Sequence, residues 1–351
     1  VFMLLFYILF MVPAVAVYKL AARFMVEYLV FPFAWVVFDF LRSQGFLGYP
    51  WGIMGASQYG FLPLIQIVSV TGIWGVSFIV VFANAAAARI CIGFEKRDFR
   101  PMRIPAAAFI ALLAVTLAAG AWMLAAEREF VSRHIHDGGE TVRFSLIQSN
   151  MDPRKTESEE VFDTLRRLTA DAMADSPEIV VWSEGAFEWY VRNYMNEEPS
   201  LNKEARMVRA FLDWQKTLGV WLATGVFDST TIVVPPGTET EQDHNASLLL
   251  SPEGNLEGLY RKMHLVPFSE YFPYEKELPF IHKILADFDQ RFWTPGTERV
   301  LFRHPEVTFF TPICFEDVFP QDVRLFVLDG AEAIVNMSND FWSMTETEAI
   351  Q

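Results

Sequence analysis

Residues 104–126 (IPAAAFIALLAVTLAAGAWMLAA) run for more than twenty positions without a charged side chain. A bilayer core roughly 30 Å thick is crossed by about 20 helical residues, so this stretch is long enough to span one. Residues 61–88 meet the same test, residues 1–18 are equally apolar, and residues 24–42 form a weaker candidate interrupted by Glu27, Pro32 and Asp39. The apolar core of a signal peptide is the alternative for 1–18, given the small Ala14-Val15-Ala16 triplet. A buried helix of a soluble protein could explain one such run, but not three or four in succession. The expectation is a transmembrane helical domain over 1–126 with about four spans.

Charge divides at the same place. Residues 1–126 hold eight basic and four acidic side chains, whereas the remainder holds twenty basic and thirty-nine acidic ones. The first part is therefore +4 and the second −19. An acidic globular part repels phosphate, which excludes nucleic acid as a partner. Lys19 and Arg23 separate the first two apolar runs, and Arg89, Lys96, Arg97, Arg100 and Arg103 cluster between the last two. Residues 43–60 carry no charge and are rich in Gly and aromatics, as an interfacial segment would be. Excess Lys and Arg mark cytoplasmic loops, so both basic loops are expected inside and everything after Ala126 outside. In that topology Cys91 and Cys314 cannot pair. Cys314 is then an unpaired thiol on an oxidising side, either a small buried core residue or a reactive group.

After a polar linker over 127–140, strand and helix patterns alternate. TVRFSLIQ (141–148) reads as a strand, 158–175 as a helix with Val161, Leu165, Leu168 and Ala172 on one stripe, and EIVVW (178–182) as a buried strand. A helix over about 201–217 leads to VWLATG (220–225). ASLLLS (246–251) and NLEGLY (255–260) flank the turn Pro252-Glu253-Gly254. VTFFTPIC (307–314) is a strand, 319–329 a helix and AEAIVNMS (331–338) another strand. The expected class is α/β over 141–351, with helices covering sheet faces.

Catalytic groups cluster where strands end, and three such ends carry chemistry. The first delivers Glu184, the second Lys262 within YRKMHLVPF, and the third Cys314 followed by Phe315 and Glu316. A free thiol is only a few per cent thiolate near neutrality. A neighbouring carboxylate can take its proton during attack. An ammonium favours thiolate and stabilises a tetrahedral oxyanion, and the backbone N–H of Phe315 can complete an oxyanion hole. Residue types alone leave a chance scatter of Glu, Lys and Cys equally open.

The local wording narrows this. Tyr260-x-Lys262-x-His264-Leu265-Val266-Pro267-Phe268-Ser269-Glu270-Tyr271-Phe272-Pro273, Ile313-Cys314-Phe315-Glu316 and Asn339-Asp340-Phe341-Trp342 resemble the lysine, cysteine and downstream motifs of the carbon–nitrogen hydrolase (nitrilase) superfamily. Phe33-Ala34-Trp35 through Asp39-Phe40-Leu41-Arg42, then Gly48-Tyr49-Pro50-Trp51-Gly52, are similar to its membrane-anchored branch, the apolipoprotein N-acyltransferases. The resemblance implies a nitrilase-like α-β-β-α sandwich behind the transmembrane domain. It implies Glu184 as general base, Lys262 as oxyanion stabiliser, Cys314 as nucleophile, Glu270 as a carboxylate orienting Lys262 or the incoming amine, and Glu316 as a supporting residue. The implied reaction takes an acyl chain from a phospholipid onto Cys314 and passes it to the amine of a diacylglyceryl-cysteine. Its partners would be a phospholipid donor, a diacylated apolipoprotein acceptor and the bilayer, with no cofactor and no metal. The implied location is a bacterial inner membrane, multi-pass, with the catalytic domain on the periplasmic side. The chain reads as a fragment lacking segments at both ends.

Departures from the pattern fall at Ser183, where a proline is usual, at Phe315 in place of tyrosine, at Ser269 in place of glycine, and around Lys155-Thr156-Glu157, where a tryptophan is expected. They bear on substrate preference more than on reaction type. Two alternatives remain: a membrane-tethered amidase with water as acceptor, and a catalytically degenerate membrane scaffold. His134-x-His136-Asp137 reads as solvated rather than metal-binding, His264 as structural, and Asp39 with Arg42 as an ion pair one helical turn apart. Asn245-Ala246-Ser247 and Asn336-Met337-Ser338 fit the glycosylation pattern.

Overall fold

The computed structural model describes residues 8, 12, 15–21, 23, 27–44, 48, 50–139, 141–152, 155–199, 202–234, 237–267, 269–272, 280, 292–339 and 341. The chain forms two compact units, Val1–Gly139 and Glu140–Ile350.

In the first unit α1 spans Glu27–Arg42, α2 Ile73–Lys96 and α3 Arg103–His136. The last two are long and apolar enough to cross a membrane. Most of the expected span 1–18, and residues 24–26 of the next, lie outside the described residues. The expected span 61–88 is not one helix. Two single turns, Leu62–Ile65 and Val68–Thr71, precede Gly72, whose φ of 62° breaks the chain before α2 begins. Such a backbone turn suits glycine; hydropathy alone cannot see it. At the other end α2 runs on to Lys96, and α3 runs through Glu127–His136, the segment read as a linker. An Arg133–Glu129 ion pair at i,i+4 spacing supports that polar extension. Aromatic contacts join the helices: Phe33 meets Phe78 at 4.7 Å, and Phe82 meets Phe109 at 5.7 Å.

The second unit holds a five-stranded sheet in the order β1-β2-β3-β4-β5 and a three-stranded sheet β6-β7-β8. β1 (Phe144–Ile147), β2 (Ile179–Trp182) and β3 (Trp221–Val234) are parallel, because α4 (Ser158–Ala172) and α5 (Lys203–Leu218) make the crossovers. β4 (Thr238–Leu250) and β5 (Leu256–Arg261) then follow antiparallel through hairpins. In the second sheet β6 (Phe302–Arg303) is antiparallel to β7 (Thr308–Phe310), and α6 (Pro320–Leu328) carries the chain across to β8 (Ala333–Ile334), parallel to β7.

Alternation along the buried strands builds two cores. Val180, Trp182, Leu222, Leu248 and Leu250 pack with Phe162, Leu165, Val208 and Phe211 from α4 and α5. On the other face Ile179, Val181, Ala223 and Leu249 meet Phe302, Phe309 and Phe310 of the second sheet, with Phe326 of α6 stacked 4.2 Å from Phe310. The result is an α-β-β-α sandwich. β7 is shorter than its sequence pattern because Pro312 lacks the N–H a ladder needs. The pairing resumes at Ile313↔Met337.

Candidate active site

The two cores leave polar groups at one end of the strands. Glu184 lies two residues past β2, in a loop pressed against β3. A Cβ on Gly225 would stand 2.6 Å from the Ser183 carbonyl oxygen and 2.8 Å from the Glu184 Cα. Only glycine permits that approach. The Phe187 N–H donates to the Gly225 carbonyl, which fixes the loop from its other side.

Lys262 follows β5 directly and is completely buried. Its backbone is held at both ends: its N–H donates to the Asn245 carbonyl at 2.8 Å, and its carbonyl accepts from Gly296 at 2.8 Å. The ammonium donates to Glu270 Oε1 at 2.8 Å and to Glu184 Oε1 at 3.3 Å. Burial alone would push the pKa of Lys262 down, but the charges of Glu184 and Glu270 outweigh it and hold the group above its ordinary value. It remains an ammonium. Glu270 Oε2 accepts from the Val266 N–H at 2.8 Å, so this carboxylate is itself oriented by the turn that carries it.

Cys314 opens a tight helical turn, Cys314–Val318, with φ of 52°. A left-handed non-glycine residue is strained, and such strain concentrates at functional sites. Its N–H donates to the Met337 carbonyl at 2.8 Å, and Ser338 hydrogen-bonds to the thiol. Burial, and then the charge of Glu184, push the thiol up to about 12 against the opposing pull of Lys262. The sequence reading had the lysine favouring thiolate; the surroundings outweigh it, and the resting group is a thiol.

Glu316, two residues on, joins the lysine and cysteine segments. Its Oε1 accepts from the Tyr260 hydroxyl at 2.7 Å, the Met263 N–H at 2.7 Å and the His264 N–H at 3.0 Å, while Oε2 accepts from the Ile313 N–H at 2.8 Å. Burial raises its pKa, and the bonds from His264, Ile313 and Tyr260 counter that. Phe315 is buried between the two and meets Phe319 edge-on at 4.8 Å.

Glu184, Lys262, Glu270, Cys314 and Glu316 are thus one constellation. The other motif residues divide. His264 stacks on Phe319 at 4.5 Å and faces Asp322 at 3.6 Å. Asp340, Trp342, Phe268 and Pro273 lie outside the described residues. His134 and His136 end α3, and no group of three His, Cys, Asp or Glu suited to a metal occurs among the described residues. Asp39 and Arg42 form a buried pair at 2.9 Å, with the guanidinium also donating to the Trp51 carbonyl at 2.7 Å. Cys91 is exposed on α2.

Two polar residues of the site were not assigned to it from sequence: Asn245 was read only as part of a glycosylation pattern, and Asp228 was passed over. Asn245 donates to Glu184 Oε1 at 2.8 Å. Asp228, fully buried, binds Arg192 at 2.6 Å and Arg261 at 2.7 Å, tying the segment that follows Glu184 to the residue that precedes Lys262. The available signal was period two: Asn245 shares the inner face of β4 with Ser247 and Leu249, and a polar residue on that face needs a partner. A recess lined by Ser149, Thr156, Ser158, Gly185, Glu188 and Asn339 opens next to this constellation.

Comparison with known proteins agrees with both units. Residues 1–86 match the apolipoprotein N-acyltransferase N-terminal domain, and residues 143–350 match carbon-nitrogen hydrolase. Apolipoprotein N-acyltransferase 1 of Treponema denticola is 32% identical over 345 residues, covering 91% of this chain and 60% of that protein. Apolipoprotein N-acyltransferase of Geobacter metallireducens is 32% identical over 322 residues, covering 89% and 56%. The crystal structure of a carbon-nitrogen hydrolase from Helicobacter pylori G27 aligns with 18% identity and a TM-score of 0.38 over 56% of this chain and 59% of that one. The chain spans about three fifths of the length of the curated relatives it matches. With the hydrolase match running through the strands, the lysine turn and the cysteine turn alike, the chain belongs to the carbon–nitrogen hydrolase family.

Proposed function

We propose that the protein moves an acyl chain from a phospholipid, through a thioester on Cys314, to the amino group of a diacylglyceryl-cysteine on an apolipoprotein. The observation that carries this reading is a buried ammonium, Lys262, shared by two carboxylates beside a resting thiol, in a chain whose N-terminal residues match the acyltransferase domain. Water-based hydrolysis needs no membrane domain. An enzyme whose donor and acceptor are both lipids does, because neither substrate leaves the bilayer.

Each residue then has a role. Glu184 takes the thiol proton as sulfur attacks the ester carbonyl. Lys262 and the Phe315 N–H receive the negative charge on the tetrahedral oxygen. Glu270 aims the lysine, and Glu316 holds the lysine and cysteine turns together. The lysophospholipid alkoxide leaves with the proton from Glu184; the acceptor amine later attacks the thioester, Glu184 removes its proton, and as the C–S bond breaks that proton returns to the Cys314 sulfur. No cofactor or metal enters. Residues 1–126 form the transmembrane domain, 127–140 connect and 141–351 carry the chemistry. The basic residues around the α2–α3 turn support a reading with that turn on the cytoplasmic side of a bacterial inner membrane and the catalytic domain on the periplasmic side.

The test supplies the protein in detergent with a phospholipid and a diacylated lipopeptide, and weighs the lipopeptide. The expected result is a gain of one acyl chain, with a trapped thioester that Cys314→Ser abolishes. Phospholipid cleavage without that gain would make the protein a hydrolase, and the absence of both products would make it a scaffold.

A further inference from the structure

We infer that Asn245 is a positioning residue that makes Glu184 a one-sided base, leaving Oε2 as the atom that receives the thiol proton. The inference rests on the catalytic roles proposed above. Asn245 stands on β4, 6% exposed, opposite Phe227 of β3. Its Nδ2 donates to Glu184 Oε1 at 2.8 Å and only at the 3.5 Å limit to Glu270 Oε1, and the same Glu184 oxygen receives the Lys262 ammonium at 3.3 Å. Glu184 Oε2 has no hydrogen-bond partner among the described residues, and the side chain keeps 16% of its surface exposed. One oxygen is therefore capped twice while the other stays open. Two donors at one position fix the plane of the carboxylate; a half-turn regenerates the same arrangement, so whichever oxygen stands away from the donors is the open one.

The amide suits this task because it is neutral. It donates a hydrogen bond without adding a charge to a cluster that already holds an ammonium and two carboxylates. The charged and titratable groups facing Glu184 are Lys262 beyond β5, Glu270 on the following turn and Cys314 beyond β7; Glu188 of its own loop lies beside Gly185. The backbone carbonyl of Asn245 separately holds the Lys262 N–H. That contact survives any substitution, so the lysine turn stays in place when the amide is changed.

The step balances simply. The Cys314 S–H bond breaks and its proton goes to Glu184 Oε2. The sulfur electron pair forms the bond to the acyl carbon, and the ester C–O bond then breaks, its oxygen taking the proton back from Oε2.

Single-turnover thioester formation on the whole protein, followed by intact-mass spectrometry across pH 5–9 with phospholipid in micelles, tests this. Asn245→Leu removes the donor at nearly constant size. Loss of a hydrogen bond to the charged form raises a carboxyl pKa, so the acid limb of the profile should move up by about one unit and the plateau fall about tenfold or more. Asn245→Asp sets a second carboxylate beside Glu184 and should move the limb further in the same direction. Glu184→Gln should abolish thioester formation at every pH. If Glu184→Gln acylates at the unaltered rate, the base itself is misassigned. If Glu184→Gln is inactive while both Asn245 variants keep the original limb, losing rate only in proportion to folded protein, the positioning role is refuted.

Discussion

Replacing Glu316 by Gln removes one negative charge and changes nothing in size, and the four hydrogen bonds at that carboxylate set what it costs. All four partners, the Tyr260 hydroxyl and the N–H groups of Met263, His264 and Ile313, are donors. A carboxylate only accepts, but a glutamine amide presents one accepting oxygen and one NH₂. In the better orientation the oxygen keeps the three donors at the Oε1 position, and the NH₂ faces the Ile313 N–H. Two buried donors are then unsatisfied, at about 1–3 kcal/mol each, and the three retained bonds lose charge assistance, at about 1 kcal/mol each. Relief from burying a carboxylate offsets part of this, leaving about 3 kcal/mol. The reverse orientation is worse, because the NH₂ would face three donors instead of one. Since 1.4 kcal/mol is tenfold, the amides of Met263, His264 and Ile313 should exchange with deuterium roughly 100-fold faster. The amides of β2 should be unchanged. Hydrogen-exchange mass spectrometry on the protein in detergent reads this out, with Tyr260→Phe as a milder control that loses one donor of the four. Unchanged exchange at all three amides would refute the claim that Glu316 holds the lysine and cysteine turns together.

The thiol gives a pH prediction. A group pushed up to about 12 loses its proton only at high pH, so in a Cys91→Ser background Cys314 alkylation by iodoacetamide should climb about tenfold per unit from pH 7 to 9 without levelling, as thiolate chemistry requires. A plateau below pH 8 would mean a preformed thiolate and would contradict the resting state described. The lysine gives a paired one: Lys262→Met leaves Glu184 and Glu270 without their shared cation and should cost about 3 kcal/mol, seen as a lower Tm. Lys262→Met with Glu270→Gln should recover most of that stability and none of the thioester formation, whereas a double variant as unstable as the single one would show that charge is not what the lysine balances.

Where side-chain pattern and backbone chemistry agreed, the sequence was readable. EIVVW, with every residue apolar after the first, became β2 buried on both faces, and Gly254 marked the β4–β5 turn. The strand-end positions of Glu184, Lys262 and Cys314 followed from those elements. The long β3–β4 ladder did not. Residues 238–245 (TETEQDHN) look like a loop, and they are strand because each of the eight is in register with a residue of β3. Tertiary pairing overrode composition there. Asn245 and Asp228 were hidden for the same reason: the sequence reading ended β3 at residue 225 and began β4 at 246, so neither had a face to be assigned to. In the first unit the failure ran the other way. Hydropathy joined 61–88 into one span because it cannot register a positive φ at Gly72.

The resting charges of the site explain why a proton has to move during attack rather than before it. Glu184, Glu270 and Glu316 surround one ammonium, so a thiolate on Cys314 would add a further negative charge to a region already in excess by two, and burial opposes it. In the proposed reaction the thiol proton passes to Glu184 as sulfur attacks, so the negative charge leaves that carboxylate and appears on the carbonyl oxygen. The total never changes. The site therefore needs no solvent to absorb new charge, and Lys262, held rigidly above its ordinary pKa, remains a cation through both half-reactions. This is how a thiol of high pKa can serve as a nucleophile in a water-poor setting: the base removes its proton only when an acyl carbon is in place. The same dependence protects the site, because a resting thiol resists the oxidation that a thiolate would invite.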